Sequence, residues 1–579
     1  MHKLVLTEIN NTASYIEMLR YCEENAPYKN GLTKFGKEAY PLEIAVGIEF
    51  RRDNELLYIL VARNNQGFEL MNRFLSHHNM ERKALPERAP AVDETFVIYP
   101  FRKREPESLR ENEFIGITTH ELNQLVLYDP YKTYTEKFLV WHPVTFANRI
   151  DFNTHRLLRA IDNNMLLSKL PEHQQANPNE IMMPEQKLEK LFEAYPEIIQ
   201  NTRSLLAQCS INFELGTDKN KKSLWGSEEK DWQYLVDETW KGFVGRYNEK
   251  NATLVERIER ELRIIKEKGF IAYYLIAYDL ISYANSMGFG YVGRGSGANS
   301  VVAYCLGITN VDPIELDLYF ERFLNAERSS PPDFDIDFAW DNRDAIYDYI
   351  FQRYEKGHVC LLATHVTYQK RSVIRELGKV FGLPKEEIDI IVDEPQKNKD
   401  RDHITKLIFQ YAERIKDLPS NFSIHAGGVL ITEKPIYAYT PLELPPKGYP
   451  VTHFEMHNAE DMGIFKFDIL SQRGLGHLKE AVRHVKRNQN VDVDIYRFSE
   501  FKKDEKIKHL MRRSKAMGCF YVESPAMRML LEKLRCDDYL TLVAASSIIR
   551  PGVARSGMMR AYIERFHSSR NGMKHRIAG

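Results

Sequence analysis

The sequence has few cysteines, and none of them form a close pair. Six cysteines are spread over 579 residues without a Cys-x-x-Cys spacing, which argues against a zinc cluster or a disulfide framework and is typical of reduced thiols. A long apolar run is also missing, because the most apolar stretch, Phe270 to Ala284, contains Asp279 and is too short to cross a bilayer. No signal-peptide core follows Met1. We therefore expect a soluble protein located in the cytoplasm.

The chain also lacks an excess of either charge. Its 80 basic and 81 acidic residues give a formal net charge of -1, so net charge does not indicate a nucleic-acid partner, and any basic surface must arise from local clustering. A hydrophobic content of 43% argues against disorder. At 579 residues the chain is too long for a single hydrophobic core, and several domains are expected.

Hydrophobic patterns predict an α/β region up to about residue 210 and more helical regions after it. Strands are predicted at 56–62 and 95–99, a turn at 65–67 before a helix that begins at Phe68, and a linker at 171–184. Further helices are predicted at 254–265, 298–306, 368–381, 385–407 (broken at Pro395), 498–507 and 524–534.

The segment Pro331–Phe338, with the sequence PPDFDIDF, is the strongest chemical signal in the chain. Its alternation predicts a strand that carries Asp333, Asp335 and Asp337 on one face. Same-face neighbours in a strand lie about 6.5–7 Å apart, so these carboxylates can converge on two divalent ions held about 3.5–4 Å apart. Three aspartates on one face repel one another unless cations bind. The structural alternative is a solvated edge strand.

Two further segments supply candidate site residues. The apolar strand Gly463–Leu470 carries Lys466 and Asp468 on one face; as a neighbouring strand it could bring Asp468 to the shared ions and Lys466 to a phosphate, and the alternative is a surface ion pair. The glycine-rich segment Gly290–Ser300 lacks the Gly-Lys-Ser/Thr ending of a Walker A loop. Its closely spaced glycines are equally compatible with a phosphate cradle and with a tight turn.

Basic residues cluster in two places. One predicted helix carries four cations and a single acid, Glu376; the cations are Lys370, Arg371, Arg375 and Lys379. The end of the chain carries seven cations and a single acid, Glu564; the cations are Arg550, Arg555, Arg560, Arg565, Arg570, Lys574 and Arg576. Such clusters contact phosphates without reading sequence, and the alternative is a solvated charged face.

These motifs, in this order, resemble one family, the bacterial C-family replicative polymerases that form the alpha subunit of DNA polymerase III. Gly293–Gly297 (GRGSG) resembles the glycine-rich palm loop of the family, and Pro332–Phe338 resembles its Pro-Asp-Phe-Asp-hydrophobic-Asp-Phe motif. Lys466–Asp468 matches the strand that carries the third aspartate. Three other segments resemble parts of the thumb and the start of the fingers: His425–Val429, Ile549–Gly552 and Ser556–Met558.

The resemblance implies a multidomain protein of α/β and α+β class. Its expected domains are a partial PHP-type (β/α) barrel domain at 1–212, a polymerase-beta-like nucleotidyltransferase palm in two parts at 213–365 and 446–495, a helical thumb at 366–445, and the beginning of helical fingers at 496–579.

The resemblance also implies a DNA-directed DNA polymerase that uses two Mg²⁺ ions. The expected metal ligands and catalytic residues are Asp333, Asp335 and Asp468. The expected nucleotide contacts are Arg294, Gly295, Ser296 and Lys466, and the expected DNA contacts are Lys370, Arg371, Arg375 and Arg550. Expected partners are primer–template DNA, dNTPs and, for full-length family members, the sliding clamp and clamp loader.

Two departures from the family pattern modify these expectations. Leu4–Asn11 resembles a family strand that carries Asp and His, but Glu8 and Ile9 occupy those positions. We therefore expect a structural role for residues 1 to about 210 rather than a metal-dependent phosphoesterase or proofreading site. The family also continues for several hundred residues beyond its fingers motif, so we expect an incomplete chain with reduced or no activity alone. The alternatives are a non-catalytic DNA-binding remnant and another two-metal phosphodiesterase or nuclease.

Overall fold

The computed structural model describes residues 3–27, 42–247, 252–324, 331, 333–398, 401–549 and 557–570. The chain divides into two compact units, each built from two segments. Unit 1 contains Met1–Lys221 and Phe351–Lys466, and unit 2 contains Lys222–Ile350 and Phe467–Gly579. Both units contain helices and strands, in agreement with the predicted mixed α/β and α+β class. The predicted domain boundaries remain predictions.

The strands are given first in chain order. They are β1 Lys3–Ile9, β2 Glu43–Arg52, β3 Glu55–Ala62, β4 Thr95–Pro100, β5 Glu113–Ile117, β6 Phe138–Val140, β7 Tyr291–Arg294, β8 Asp335–Ala339, β9 Val359–Thr367, β10 Pro419–Ile431, β11 Leu442–Glu443, β12 Val451–Thr452 and β13 Phe467–Gln472. The strands predicted at 56–62 and 95–99 are confirmed as β3 and β4.

The α-helices follow in the same order. They are α1 Tyr15–Asn25, α2 Asn65–Glu81, α3 Leu122–Leu125, α4 Asp129–Thr133, α5 Arg149–Asp162, α6 Glu185–Leu191, α7 Pro196–Ala207, α8 Glu228–Arg246, α9 Ala252–Glu267, α10 Ile271–Ser286, α11 Val301–Cys305, α12 Arg343–Arg353, α13 Lys370–Phe381, α14 Lys385–Asp393, α15 Pro395–Asn398, α16 His403–Ile415, α17 Met456–Met462, α18 Arg473–Gln489, α19 Phe498–Lys503, α20 Glu505–Arg512, α21 Pro525–Leu534, α22 Tyr539–Ile548 and α23 Met558–Arg570.

Unit 1 contains a six-stranded mixed sheet in which β1 to β6 lie side by side in chain order. β1 pairs with β2 in parallel, β2, β3 and β4 pair in antiparallel fashion, and β4, β5 and β6 are parallel. In the second half of the unit, β9 pairs with β10, and β12 pairs with both β9 and β11. Helices α13, α14 and α16 bury apolar side chains against α5 in a separate cluster.

Helix caps explain where several predicted helix boundaries were wrong. α2 begins at Asn65 and not at Phe68, because the Asn64 side chain accepts hydrogen bonds from two N–H groups of the first turn, those of Gln66 and Gly67. The break predicted at Pro395 within 385–407 is confirmed, because α14 ends at Asp393 and α15 begins at Pro395. A second break was not predicted: α16 starts at His403, where Asp402 caps the N–H of Thr405, and runs on to Ile415. The helix predicted at 498–507 divides at Asp504, which caps α20.

Unit 2 contains a three-stranded arrangement with β8 in the centre. β7 pairs with β8 in antiparallel fashion, and β13 pairs with β8 in parallel. The predicted amphipathic helix at 254–265 is confirmed as α9, and its predicted apolar stripe is buried: Leu254, Ile258, Leu262 and Ile265. The apolar α10 is largely buried as well. Among the described helices, none has the length and apolarity needed to cross a membrane.

Candidate active site

The strand register in unit 2 places three charged residues side by side across the sheet. Arg294 on β7 lies opposite Asp335 on β8, and Asp335 lies opposite Asp468 on β13. Directly opposed like charges destabilise a sheet, so the Asp335–Asp468 pair has a structural cost that a cation would offset.

Three aspartates converge at this position. Asp333, Asp335 and Asp468 each offer a carboxylate oxygen, and these oxygens lie within 4.8 Å of one another. Asp333 is exposed, Asp335 is half-buried, and Asp468 is only 6% exposed. The strand begins at Asp335, so Asp333 precedes the strand and does not lie on its face as the alternation predicted. Carboxylates are hard oxygen ligands, and this set fits Mg²⁺ or a similar divalent ion.

Aromatic packing fixes the segment that carries two of these carboxylates. Phe334, between Asp333 and Asp335, is 3% exposed. Its ring contacts Tyr274 of α10, with centroids 5.0 Å apart, and Phe323, with centroids 5.5 Å apart. The buried ring holds the backbone while the flanking carboxylates project away from the core.

Arg294 binds two aspartates of the motif at once. Its Nη1 donates to Asp335 Oδ2 and its Nε donates to Asp337 Oδ2, each at 2.7 Å. Burial lowers the pKa of the guanidinium, but the hydrogen bond to Asp337 and the charges of Asp337, Asp335 and Asp468 outweigh it and raise the pKa. Sequence reasoning treated Arg294 as a nucleotide contact and did not anticipate either carboxylate partner.

The glycine-rich loop is shaped by two close approaches. Gly295 has φ +80°, and a Cβ there would lie 3.1 Å from Asp335 Oδ2, so a side chain would be strained and would crowd the carboxylate. A Cβ on Gly293 would lie 1.8 Å from the carbonyl oxygen of Ile308. The predicted helix at 298–306 was too long, because Gly295–Asn299 form a 3₁₀ turn and the α-helix covers only Val301–Cys305.

A buried ion pair on α9 holds this loop, and the sequence analysis missed it. Glu261 is fully buried and accepts hydrogen bonds from Ser300 Oγ at 2.9 Å and from the N–H of Val302 at 3.1 Å. Burial raises its pKa although these bonds act in the opposite direction. Arg257 donates to Glu261 and to the carbonyl of Asn299. The N–H groups at the start of α11 are therefore used within the protein. The available signal was the Arg-x-x-x-Glu spacing on a helix whose other core positions are apolar.

The other predicted nucleotide and DNA contacts do not belong to the carboxylate cluster. Ser296 is half-buried in the 3₁₀ turn, and Lys466 is the last residue of its unit 1 segment, directly before β13. The three predicted DNA contacts on α13 form ion pairs within unit 1: Lys370 with Glu413 at 3.7 Å, Arg371 with Asp393 at 2.7 Å and Arg375 with Asp389 at 2.9 Å. Arg550, Arg555, Lys574 and Arg576 lie outside the described residues, as does Pro332 of the aspartate motif.

Glu8, which occupies the position of an Asp in the family pattern, forms a hydrogen bond with a nearby backbone group. Its carboxylate accepts a hydrogen bond from the N–H of Ser14 at 2.9 Å, and burial raises its pKa. Ile9 is 56% exposed. The structural role expected for residues 1 to about 210 remains a prediction.

Comparisons with known proteins match most of this chain to one family. The family model for the bacterial DNA polymerase III alpha NTPase domain matches residues 233–471, and the model for the finger domain of the same subunit matches residues 474–576. The first match contains all three converging aspartates and the glycine-rich loop.

Similar proteins include DNA polymerase III alpha subunits and an error-prone DNA polymerase. The DNA polymerase III alpha subunits of Escherichia coli and Bacillus subtilis are 31% and 30% identical, over 456 and 443 residues. An error-prone DNA polymerase of Symbiobacterium thermophilum is 30% identical over 443 residues. Each alignment covers 73% of this chain, and the chain covers 39% to 40% of these relatives. Because two models of this one subunit together match more than half of the chain, at residues 233–471 and 474–576, the chain belongs to the bacterial DNA polymerase III alpha family.

Proposed function

We propose that this chain carries the polymerising centre of a DNA-directed DNA polymerase that acts in bacterial DNA replication. In this reaction the 3′-hydroxyl of a primer attacks the α-phosphate of a dNTP, and pyrophosphate leaves. The observation that carries the proposal is the convergence of Asp333, Asp335 and Asp468, whose carboxylate oxygens lie within 4.8 Å of one another although the segments are more than a hundred residues apart. Membership of the family supports the reaction class.

Asp333, Asp335 and Asp468 would hold two Mg²⁺ ions. When bound, the ions supply charge neutralisation at the phosphate and activation of the attacking hydroxyl. The carboxylates fit this task because they are acceptor-only groups crowded in a partly buried site, where their mutual repulsion favours cation binding. The donors contain no sulfur or imidazole, which suits Mg²⁺ better than a transition metal.

The substrate contacts follow from the family resemblance and from charge. Arg294, Gly295, Ser296 and Lys466 would contact the incoming triphosphate, and Lys370, Arg371, Arg375 and Arg550 would contact DNA phosphates. The proposed partners are primer–template DNA and dNTPs; the sliding clamp and clamp loader of the replication machinery would be partners of full-length family members. The cytoplasm is the proposed location, and the free cysteines agree with a reducing compartment.

Primer extension by the chain with Mg²⁺ and dNTPs tests the proposal. Asp335→Asn and Asp468→Asn keep the side-chain size but remove a metal-binding charge, so each should lower the incorporation rate by at least about 100-fold, and Asp333→Asn should do the same. Binding of primer–template should change little. The matched control is Asp344→Asn, since Asp344 is an exposed aspartate of unit 2 outside the carboxylate cluster.

The outcomes separate this function from its competitors. Normal incorporation in two of the three aspartate variants would refute the assignment. Mg²⁺-dependent release of nucleotides from DNA without added dNTP, lost in Asp335→Asn, would identify a nuclease instead. Salt-sensitive DNA binding with no incorporation in Mg²⁺ or Mn²⁺ would identify a non-catalytic DNA-binding chain.

A further inference from the structure

Asp337, the third aspartate of the motif, has no place in the proposed metal set although it is deeply buried. It is 4% exposed, and its Oδ2 accepts from Arg294 Nε at 2.7 Å and from Gln472 Nε2 at 3.3 Å. Its Oδ1 is buried and has no hydrogen-bond partner within the described ranges of the chain. A buried carboxylate is costly unless a cation pairs with it. Arg294 therefore stabilises Asp337 directly.

The two aspartates that Arg294 contacts differ in their exposure to solvent. The Asp337 side chain is 6% exposed and the Asp335 side chain is 18% exposed, while Arg294 itself is 45% exposed. The guanidinium uses Nε for the buried partner and Nη1 for the more open one. Because the donors are separate nitrogens of one rigid fork, the Asp335 bond can break while the Asp337 bond remains.

Arg294 and a divalent ion compete for the same carboxylate. Nη1 donates to Asp335 Oδ2, and Asp335 belongs to the converging carboxylate set. A cation bound by this carboxylate takes over its negative charge and repels the guanidinium, so it weakens the bond from Nη1. Asp337 keeps the displaced guanidinium within reach of the site.

The geometry points to an exchange between Arg294 and the metal ion, an inference that rests on the proposed function. Arg294 is the resident counter-ion of Asp335 and holds this carboxylate in place. It leaves Asp335 when the ion binds, stays attached to Asp337 through Nε, and presents its freed Nη groups to an incoming phosphate. Asp337 and Arg294 are thus positioning residues, and Asp337 acts through Arg294.

Mn²⁺ binding by the full chain, measured by electron paramagnetic resonance without DNA or nucleotide, tests the exchange. Arg294→Lys keeps the positive charge but replaces the fork with a single ammonium that cannot bridge both carboxylates. It should bind Mn²⁺ about two- to fivefold more tightly than wild type, because the ion breaks a weaker contact. Arg260→Lys is the matched arginine-to-lysine control, since Arg260 pairs with Glu321 in the same unit; it should bind Mn²⁺ like wild type.

A crystal structure of the wild type with Mn²⁺ supplies a second readout that needs no variant. Arg294 Nη1 should have left Asp335 while Nε keeps its hydrogen bond to Asp337. Equal Mn²⁺ affinities of wild type and Arg294→Lys, or an ion bound with both Arg294 contacts intact, would overturn the exchange. Unaltered Mn²⁺ binding in Asp335→Asn and Asp468→Asn would instead overturn the proposed metal site itself.

Discussion

Glu261 is a single residue on which the glycine-rich loop depends. Its carboxylate caps the start of α11 and pairs with Arg257, which in turn holds the carbonyl of Asn299. The side chain has no contact with solvent, so the cost of burying this carboxyl group is offset only by the donors that surround it. The loop that approaches Asp335 is therefore held from behind by a carboxyl group inside the protein.

The pH dependence of Glu261→Gln tests this role. Burial raises the folded-state pKa of Glu261 above its ordinary value of 4.5, so the folded wild type binds the proton more tightly than the unfolded chain. Its contribution to stability is complete below pH 4.5 and is lost as the pH rises through the folded-state pKa. The glutamine of the variant has no proton to lose in this pH range. The free energy of unfolding of the variant minus that of wild type should therefore rise with pH, by at most about 1.4 kcal/mol per pH unit.

Thermal unfolding midpoints of both proteins between pH 4 and pH 8 provide the measurement. Glu259→Gln is the control, because Glu259 is an exposed residue of the same helix; its difference from wild type should not vary with pH. A constant difference for Glu261→Gln as well would show that Glu261 titrates alike in the folded and unfolded chains.

At this scale the sequence indicated which carboxylates lie together better than it indicated the side chains around them. Asp333, Asp335 and Asp468 were visible because carboxylates in apolar strands are unusual and carry a cost. The double contact of Arg294 was not visible, because it depends on the register of β7 against β8, which no local pattern fixes. The partner of Glu261 is a backbone group about forty residues further along the chain, and helical periodicity contains no information about it.

At the scale of elements, two basic helices differ in how their charges are used. On α13 the three predicted DNA contacts pair with carboxylates of α14 and α16, as their ion pairs show. On α18 five cations face one acid, Glu480. In the described part of the chain Arg483 forms no ion pair, and the guanidinium of Arg487 donates to His484 and Asn488 rather than to a carboxylate.

DNA binding should therefore be more sensitive to α18 than to α13. The double variant Arg483→Gln/Arg487→Gln removes two cations that can bind a phosphate without first breaking an ion pair. It should weaken binding and reduce the slope of log K against log salt by about 1.8, the value for two phosphate contacts on duplex DNA. Arg371→Gln/Arg375→Gln should reduce the slope less, because those guanidinium groups must first break their ion pairs.

Fluorescence anisotropy with primer–template DNA at several salt concentrations gives both slopes. Lys385→Gln/Lys406→Gln is a control for generic loss of positive charge, since both residues are exposed and lie outside the two tested sets. A larger effect of the α13 variant than of the α18 variant would contradict the argument from ion pairing.

Predicted elements were correct in type more often than in extent. Apolar periodicity identified α9, and alternation identified β3 and β4, because a buried stripe or face is encoded locally. Ends were set by polar side chains, such as Asn64, Asp402 and Asp504. Asn64 begins α2 before its apolar pattern starts, whereas the predicted helical stretches continued past Asp402 and Asp504 because the apolar pattern does. The parallel pairing of β8 with β13 depends on the fold of the intervening segment, and the sequence could only suggest it.

At the scale of the whole molecule, each compact unit is assembled from two separated segments of the chain. The converging aspartates come from both segments of unit 2, and β8 and β13 join those segments in one sheet. Unit 1 has its own core clusters around β2, β3 and α13. A net charge of -1 conceals the basic α18, which is why composition gave no indication of a nucleic-acid partner.

Mg²⁺ should therefore stabilise unit 2 selectively. A ligand that binds only the folded state stabilises it by about 2.7 kcal/mol when its concentration is 100 times its Kd, and units with separate cores open separately. Amide hydrogen exchange of the full chain should slow on addition of Mg²⁺ in β8, in β13 and in the loop around Gly295, and should stay constant in β2 and β3 of unit 1. Asp468→Asn should show no slowing, whereas Asp344→Asn should behave like wild type. Equal slowing in both units, or slowing that persists in Asp468→Asn, would mean that Mg²⁺ acts on this protein at some place other than the three aspartates.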